Sequence, residues 1–387
     1  MNYCILKKIV LSTLLFPLVS CAGDKHVDHN VENYVVYHNK SEFAGWPANE
    51  GLWQWDNEVL TAFEVATFVE TEGDHSIDRN SPKRIVFARS MDGGRTWTTE
   101  EHEEILPPAY LGDETLYQQA SAASAPKQYL GGYDFESPDF AMKLRGKNFY
   151  VSNDRGHNWE GPFLLPEYGY TSEARTSYIV TGKDSMLLFM TGRINNNGLR
   201  YGRSLVLETN NGGKTFEFVS WIGEDFEPEL SAAERENGTL FSIMPSAVEL
   251  GEGHYVVSVR QRAHRRKWTD IFETKDNCRT WEKISLLEKG SSNPATLVVL
   301  NNGDLAAVYG SRRQSPTEVV AKISKDKGHT WSKEIVLRND GRKWDIGYSR
   351  ATVLPGGDVL GIYYFTTDEM PENFIGATRW TPALLSE

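Results

Sequence analysis

Three strand-like segments of this chain end in arginine, the side chain best suited to grip a carboxylate through paired hydrogen bonds. If the segments are equivalent strands of a repeated fold, their ends converge, and the guanidinium groups would bind one acidic sugar. The alternative is that each arginine pairs with a nearby Asp or Glu in this acidic chain. The predicted substrate-binding arginines are Arg193, Arg260, Arg262 and Arg313.

Two other segments carry groups capable of nucleophilic attack or proton transfer. Glycoside hydrolysis normally uses two carboxylates, with a tyrosine nucleophile as a known exception. Tyr348 begins a strand-like segment that also carries Arg350, and Asp134 follows Tyr133 in a long loop. We therefore predict Tyr348 and Asp134 as catalytic and Tyr133 and Arg350 as substrate-binding. The alternative for the loop carboxylates is that they cap the loop or pair with arginine.

The histidines indicate no metal site. His75 and His264 lie in polar loops, and no histidine pair has the spacing typical of metal ligands. The sequence also lacks a glycine-rich phosphate loop and a nucleophile elbow. We expect neither a metal nor a cofactor.

The elements that would position these residues follow from a phrase repeated five times, Ser/Thr-x-Asp-x-Gly-x-Thr-Trp with small departures. Its copies begin at residues 90, 152, 209, 274 and 324, about 50 to 65 residues apart. That period matches a four-stranded propeller blade. The aspartate, glycine and aromatic residue are typical of a stapled hairpin turn. We therefore interpret the repeated aspartates as structural: Asp92, Asp154, Asp276 and Asp326.

The repeats predict an all-β fold, a single β-propeller domain over residues 33–387. We count six blades, with seven as the alternative, and place the first strand of the second blade within 110–125. Asn33–His38 would supply the last strand of the final blade and close the ring. The long loops would emerge on the face opposite the repeated turns, which is where a binding site is expected.

The N-terminus is typical of an exported bacterial lipoprotein. Residues 1–21 combine basic residues, a short apolar run and a lipobox-like end, which predicts a signal peptide and lipidation at Cys21. Ordinary cleavage near Ala22 is the alternative. Residues 22–32 would form a tether to the outer membrane or cell surface, with the periplasmic face as an alternative location. Three cysteines predict no disulfide framework.

The formal net charge of −12 argues against nucleic acid as a partner. Aromatic residues make up 12% of the chain and suit both tight β-structure and sugar rings. We expect a monomer whose partner is an oligosaccharide or polysaccharide containing an acidic sugar.

The repeated phrases, together with Ser292–Pro294, resemble the Asp-box (BNR) propellers of the sialidase superfamily across the whole mature chain. That superfamily includes sialidases, other glycosidases, lyases and non-catalytic members, so the resemblance implies the fold more than the activity. Sialidases carry an early Arg-Ile-Pro, an arginine triad, a Tyr/Glu nucleophile pair and an Asp acid. Tyr348, Arg313 and either Arg260 or Arg262 fit this pattern. Two parts of the pattern are missing. Residues 48–50, where Arg-Ile-Pro would align, read Ala-Asn-Glu, and residues 243–246 lack the glutamate that partners the nucleophilic tyrosine.

Residues 43–53 look like the opening of the Asp-box propellers in glycoside hydrolase family 145. That resemblance implies removal of an α-L-rhamnose cap from glucuronic acid on plant arabinogalactan by a catalytic histidine. At the aligned position this chain has Glu50, beside Asn49. The resemblance thus suggests Glu50 as a replacement catalytic group and Asn49 as a substrate-binding residue, or a protein inactive on that substrate.

The sequence predicts an extracytoplasmic glycan-processing protein. Its resemblance to rhamnosidase-type glycosidases implies action on a terminal rhamnose next to glucuronic acid, or a protein inactive on that substrate. The first alternative is an exo-α-sialidase. The second is a non-catalytic propeller that binds acidic glycans.

Overall fold

The computed structural model describes residues 30–107, 127, 129–196, 199–224, 240–263, 265–291 and 293–382. The predicted signal peptide, Cys21, most of the tether and the predicted first strand of blade two fall outside these residues. Within the described part of the chain, no helix has the length and apolar character that crossing a membrane requires.

Regular structure is almost entirely β, with one short helix. In chain order the first elements are β1 (Val31–Tyr37), β2 (Glu42–Gly45), α1 (Pro47–Glu50), β3 (Gly51–Trp55), β4 (Glu58–Thr67), β5 (Arg84–Ser90), β6 (Thr98–Glu100), β7 (Ala141–Gly146), β8 (Asn148–Ser152), β9 (Glu160–Leu164), β10 (Thr171–Ser172), β11 (Ala174–Arg175), β12 (Tyr178–Gly182) and β13 (Ser185–Asn196). The remaining strands are β14 (Leu199–Thr209), β15 (Glu217–Trp221), β16 (Leu240–Gly251), β17 (His254–Ala263), β18 (Arg266–Thr274), β19 (Glu282–Lys289), β20 (Thr296–Val299), β21 (Leu305–Ser311), β22 (Thr317–Ser324), β23 (Ile335–Gly341), β24 (Gly347–Val353), β25 (Val359–Phe365) and β26 (Phe374–Trp380).

These strands pair as successive antiparallel meanders. Four meanders run β3-β4-β5-β6, β12-β13-β14-β15, β16-β17-β18-β19 and β20-β21-β22-β23. A single parallel bridge between Gly202 and Phe241 links the second and third of these into one nine-stranded sheet. Between the first two meanders lies a sheet in which β11 pairs with β7, followed by β8 and β9. The last sheet runs β24-β25-β26-β1, so the described residues contain six such units. The predicted number of blades, six with seven as the alternative, stays a prediction.

The predicted closure by the N-terminal strand is confirmed. β1 pairs antiparallel with β26 from Val31 opposite Trp380 to Tyr37 opposite Ile375. This contact covers the edge that the last sheet would otherwise expose. Phe63 of the first meander then packs with Leu360 and Ile375 of the last one in a shared buried cluster.

Each pair of neighbouring sheets encloses its own apolar core. Large aromatic side chains provide much of the packing, because they fill the wedge between two twisted sheets. Trp53, Phe87 and Tyr150 join the first two sheets, and Phe189 and Phe272 join the third and fourth. The core is therefore a ring of interfaces around an axis.

The repeated boxes form turns, as predicted. In the last box Asp326 Oδ1 accepts the Thr330 amide at 2.8 Å, and Oδ2 accepts the Thr330 hydroxyl at 2.6 Å. These hydrogen bonds lower the pKa of Asp326 to about 2. Trp331 Nε1 donates to Ser285 Oγ of the preceding sheet at 3.1 Å. A box thus closes its own hairpin and also ties it to the adjacent sheet.

Candidate functional site

An open cavity of about 520 Å³ lies at the hub, on the face opposite the boxes. It is built where the second strands of the sheets end and the innermost strands begin. A single helical turn, α1, is inserted between β2 and β3 on this face. The lining includes Trp46, Asn49, Glu64, His75, Lys83, Arg145, Glu173, Arg175, Arg193 and Tyr348. Cationic groups dominate this surface although the chain as a whole is acidic.

Tyr348 reaches this cavity from a strained position at the start of β24. Its φ is 47°, an uncommon value for a residue with a side chain, and its backbone N–H donates to Asn293 Oδ1 at 3.2 Å. Gly347 precedes it with φ of 103°, and a Cβ there would collide with the Asn293 amide. Glycine and Asn293 together fix the direction of the tyrosine.

Guanidinium groups surround the Tyr348 ring. Arg260 Nη1 donates to the Tyr348 hydroxyl at 2.8 Å, and the Arg312 guanidinium lies 5.8 Å from the ring centre. Burial alone would raise the pKa of Tyr348, but Arg260, Arg312 and Arg175 outweigh it and lower the pKa. Met244 Sδ lies 3.7 Å from Arg260 Nη1, in the segment where a sialidase would carry its glutamate.

Arg312, and not the predicted Arg313, points toward Tyr348. Arg312 donates from Nε and Nη2 to the Ile346 carbonyl oxygen at 3.0 and 2.6 Å. Arg313 turns the other way and forms an ion pair with Glu334. The two adjacent residues lie at the end of β21, where successive side chains leave on opposite sides.

Glu50 is completely buried and does not line the cavity. Its Oε2 is paired with Lys143 Nζ, which is also fully buried, and its Oε1 lies 3.1 Å from Arg145 Nη1. Burial opposes ionisation, but Arg145 and Lys143 lower the pKa of Glu50 overall. Arg145 also pairs with Glu64. In this arrangement Glu50 orients Arg145 rather than facing a substrate.

Arg175 presents its charge to the cavity. Its Nε donates to Asn49 Oδ1 at 2.8 Å, and its Nη1 to the Glu173 carbonyl oxygen at 3.4 Å, both neutral acceptors. Arg193 also lines the cavity, but it is bound bidentately by Glu173, with Nε and Nη2 at 3.0 and 2.7 Å from Oε1. Of these two arginines, Arg175 is the one without a carboxylate partner among the described residues.

His75 forms a dyad with a buried aspartate at the rim of the same cavity. His75 Nδ1 lies 2.7 Å from Asp345 Oδ1, and the Asp345 side chain is only 2% exposed. Asp345 Oδ1 also accepts the Tyr364 hydroxyl. The His75 ring meets the Trp46 ring edge-on at 5.0 Å. In the tautomer that donates from Nδ1 to Asp345, the second ring nitrogen of His75 is the one left to hydrogen-bond a ligand.

Several predicted residues lie elsewhere. Arg350 lines a separate channel along the axis, and Arg262 does not line the cavity. Tyr133 and Asp134 border a cleft that also contains Asn153 of the second box, so their predicted position on the cavity face is wrong. Asp134 there lies 3.7 Å from Lys183.

The structure thus brings together Asn49, Arg193, Arg260 and Tyr348, but it does not unite Arg193, Arg262 and Arg313. Sequence reasoning missed Arg145, Arg175 and the His75–Asp345 dyad, and of the adjacent strand-end pair Arg312 and Arg313 it chose Arg313. Arg145 lies at the end of the second-blade strand β7 and could have been found by the same strand-end rule. His75 had no signal, because its partner is 270 residues away. No cluster of His, Cys, Asp or Glu in the described ranges could hold a metal ion.

Tyr348 should ionise at lower pH than an ordinary tyrosine. Its pKa in the folded protein lies below the unfolded value, so ionised Tyr348 adds to stability above that unfolded value. The contribution is lost as pH falls through the folded-state pKa. We expect ultraviolet difference titration to show an early tyrosinate step that Tyr348→Phe removes.

The matched control for this titration is Tyr34→Phe, because burial and Glu32 raise the pKa of Tyr34. That variant should keep the early step. An early step that survives in Tyr348→Phe would contradict the assignment.

Comparison with known proteins agrees with the architecture. Residues 228–360 match the model of a BNR repeat-like domain. None of the curated proteins compared with the chain matches it. A structure of a protein of unknown function from Dyadobacter fermentans is similar, with 22% identity, 91% of this chain and 99% of the other covered, and a TM-score of 0.63.

Two structures of glycan-acting proteins share the fold at lower identity. The Penicillium chrysogenum α-L-arabinanase is 13% identical, with 89% and 97% of the two chains covered and a TM-score of 0.55. The NanB sialidase of Streptococcus pneumoniae is 12% identical, with 87% and 68% covered and a TM-score of 0.53. The shared architecture is that of a β-propeller, so the predicted all-β fold class is confirmed.

Proposed function

We propose that this protein is a glycan-processing enzyme that binds a uronic acid in the hub cavity and acts on the terminal glycosidic linkage beside it. The observation that carries the proposal is the cationic cavity, where Arg145, Arg175 and Tyr348 line one pocket with the His75–Asp345 dyad at its rim. As the specific substrate we propose a terminal α-L-rhamnose linked to glucuronic acid, as in plant arabinogalactan.

The arginines would supply the affinity for the carboxylate. A guanidinium matches a carboxylate in a planar, two-point geometry, and such charge-assisted bonds are stronger than neutral ones. Arg175 is the best placed, since its present hydrogen bonds go to neutral oxygens. The negative protein surface would exclude acidic polymers elsewhere and leave the hub as their binding site.

His75 is the group best placed for proton transfer. The buried Asp345 orients its ring, as a carboxylate orients the histidine of other acid–base pairs. Glu64 and Glu173, the glutamates that line the cavity among the described residues, are each bound to an arginine, which disfavours a mechanism with two free carboxylates. The proposed chemistry therefore uses one histidine, with Tyr348 as a neighbouring polar group.

Fold relatives support a sugar ligand in general terms. The α-L-arabinanase was solved with arabinobiose, and NanB is a sialidase. An exo-α-sialidase stays the alternative enzyme, and Met244 in place of the glutamate beside Tyr348 counts against it. Attachment to the outer membrane through a lipid at Cys21 is part of the proposal.

The test is incubation of the protein with rhamnose-capped arabinogalactan and with a panel of uronate-containing oligosaccharides. Wild type should release free sugar, and Arg175→Met should weaken binding about 10–100-fold, the value of one or two charge-assisted hydrogen bonds. Calorimetry on the isolated oligosaccharide measures the affinity.

The matched control is Arg279→Met, because Arg279 is an exposed box residue that donates to the Asp276 carbonyl oxygen at 3.1 Å. It should leave affinity unchanged. Equal binding by Arg175→Met and wild type, or no affinity for any uronate glycan, would overturn the proposal.

A non-catalytic propeller that binds acidic glycans is the second candidate. The pairing of Glu64 and Glu173 with cations favours it, since neither of these lining glutamates, the two among the described residues, is left free to catalyse. A binder would show saturable affinity for an intact acidic glycan in calorimetry and release no sugar from it.

A further inference from the structure

A partly exposed tryptophan lies just outside the hub cavity, next to the His75–Asp345 dyad. Trp344 belongs to the loop between β23 and β24 and is 37% exposed. It is the one tryptophan among the large apolar side chains that the described residues leave exposed. Burial of an indole is strongly favourable, so an indole that stays accessible in the folded protein offers apolar surface to a ligand.

Two contacts connect Trp344 to residues of the cavity. Its ring centre lies 5.4 Å from that of His75, which lines the cavity. The Arg312 guanidinium carbon lies 5.0 Å from the Trp344 ring centre and 5.8 Å from the ring centre of Tyr348, another lining residue. Arg312 thus contacts both rings through cation–π interactions. A ligand that extends out of the cavity past His75 would next meet the Trp344 indole.

Polar contacts hold the backbone beside Trp344 in place. Lys343 Nζ lies 2.8 Å from Glu70 Oε1, which belongs to the same loop as His75. The Lys343 carbonyl oxygen also accepts the Thr317 hydroxyl at 2.8 Å. The loops that carry the tryptophan and the histidine are therefore tied to each other. Such an indole needs little further ordering when a ligand binds, which favours affinity.

The order of groups across the site decides which part of a glycan reaches Trp344. Under the proposed function, on which this inference rests, the uronate carboxylate binds at Arg175 and the scissile linkage lies at His75. The ring across that linkage from the uronic acid is the terminal sugar, and it lies beyond His75, on the side of Trp344. A deoxysugar such as rhamnose presents a methyl group and a face of C–H bonds, which match an indole surface better than a charged sugar does.

We propose that Trp344 is the platform on which the terminal sugar stacks, and that it selects a neutral terminal ring with an apolar face. The contact buries apolar surface of both partners. Trp344 acts in binding and specificity, and proton transfer stays with His75.

The test compares the affinities of two ligands by calorimetry. One is a rhamnosyl-glucuronate oligosaccharide whose rhamnose is joined through sulfur, which resists hydrolysis, and the other is the same oligosaccharide without rhamnose. Wild type should bind the capped ligand about 5–30-fold more tightly, the effect of burying about 40–80 Å² of apolar surface. Trp344→Ala should lose this preference and bind the uncapped ligand as wild type does. Trp344→Phe should keep part of the preference, because a smaller ring remains.

The matched control is Tyr168→Ala, because Tyr168 is an exposed aromatic residue that borders a different cleft. This variant should keep the preference for the capped ligand. A Trp344→Ala variant that still prefers the capped ligand, or that loses affinity for both ligands equally, would overturn the platform and leave the uronate site in place. Failure of wild type to bind either ligand would refute the proposed function and the platform with it.

Discussion

Glu50→Gln should lower the free energy of unfolding by about 3–5 kcal/mol, the cost of leaving a buried charge without its partner. Glu50 and Lys143 are both fully inaccessible to solvent, and Arg145 lies on the second carboxylate oxygen. Removal of the negative charge leaves the Lys143 ammonium surrounded by protein, with Arg145 as a like-charged neighbour. Urea denaturation followed by fluorescence measures the loss.

The double variant Glu50→Gln/Lys143→Met separates the interaction between Glu50 and Lys143 from the interactions of each residue with the rest of the protein. It should be less destabilised than the sum of the two single variants, because it removes both buried charges together. The surface control is Glu101→Gln, which breaks the half-exposed contact with Arg84 Nε at 3.0 Å and should cost about 1 kcal/mol or less. A Glu50→Gln variant as stable as this control would refute the role of Glu50.

The stability contributed by Glu50 should also depend on pH. Arg145 and Lys143 lower its pKa, so the contribution is present above the ordinary glutamate value and disappears as pH falls through the lowered one. Glu50→Gln should show no such step. The buried pair of Glu50 and Lys143 also shows why the resemblance at residues 43–53 did not predict the environment of Glu50. The sequence shows that a carboxylate is present but not that it is buried.

The fold could be predicted from the sequence because the patterns that specify it are local. Each box contains its own donors and acceptors within a few residues, as in the contacts of Asp326 with Thr330, so the turn can be recognised without tertiary information. The period of the boxes then fixes the class of architecture. Closure by β1 followed from the missing strand of the last sheet and needed no alignment.

Only part of the site could be predicted from the sequence, because the site depends on the direction in which each side chain points and on contacts between residues far apart in the chain. Arg312 and Arg313 are equivalent by composition, and a shift of one residue decides which of them faces Tyr348. Asp134 was assigned by the type of loop it occupies, yet Phe135 N bonds the Lys183 carbonyl oxygen at 2.9 Å, which holds that loop on the box face. His75 acquires its partner only when the ring closes.

Part of the strained backbone lies at the hub. Positive φ angles occur there at Trp46, Met244 and Tyr348. Tyr348 packs against the apolar cluster that contains Trp46 and also against the one that contains Met244. Such conformations cost of order 1–3 kcal/mol each and persist where the surrounding structure enforces them. The sequence Gly45-Trp46-Pro47 provides one such turn, with proline starting α1.

His75→Gln should reduce turnover of the uronate glycan that the wild type cleaves by about 10²–10⁴-fold, the usual contribution of a positioned acid or base. Gln keeps a polar side chain of similar reach but cannot exchange a proton at neutral pH. Binding of the intact oligosaccharide should change little, because the arginines provide the affinity. Single-turnover kinetics and calorimetry separate the two effects.

Asp345→Asn should act through His75, since Asp345 is almost fully buried and touches Nδ1 rather than the cavity. An amide in its place disfavours the ring orientation and tautomer that the carboxylate supports, so turnover should fall while binding of the intact oligosaccharide is kept. His157→Gln is the matched control, because His157 is exposed in a box on the opposite face. Turnover that survives in His75→Gln at the level of His157→Gln would remove His75 from the mechanism and leave the arginine-lined cavity as a binding site.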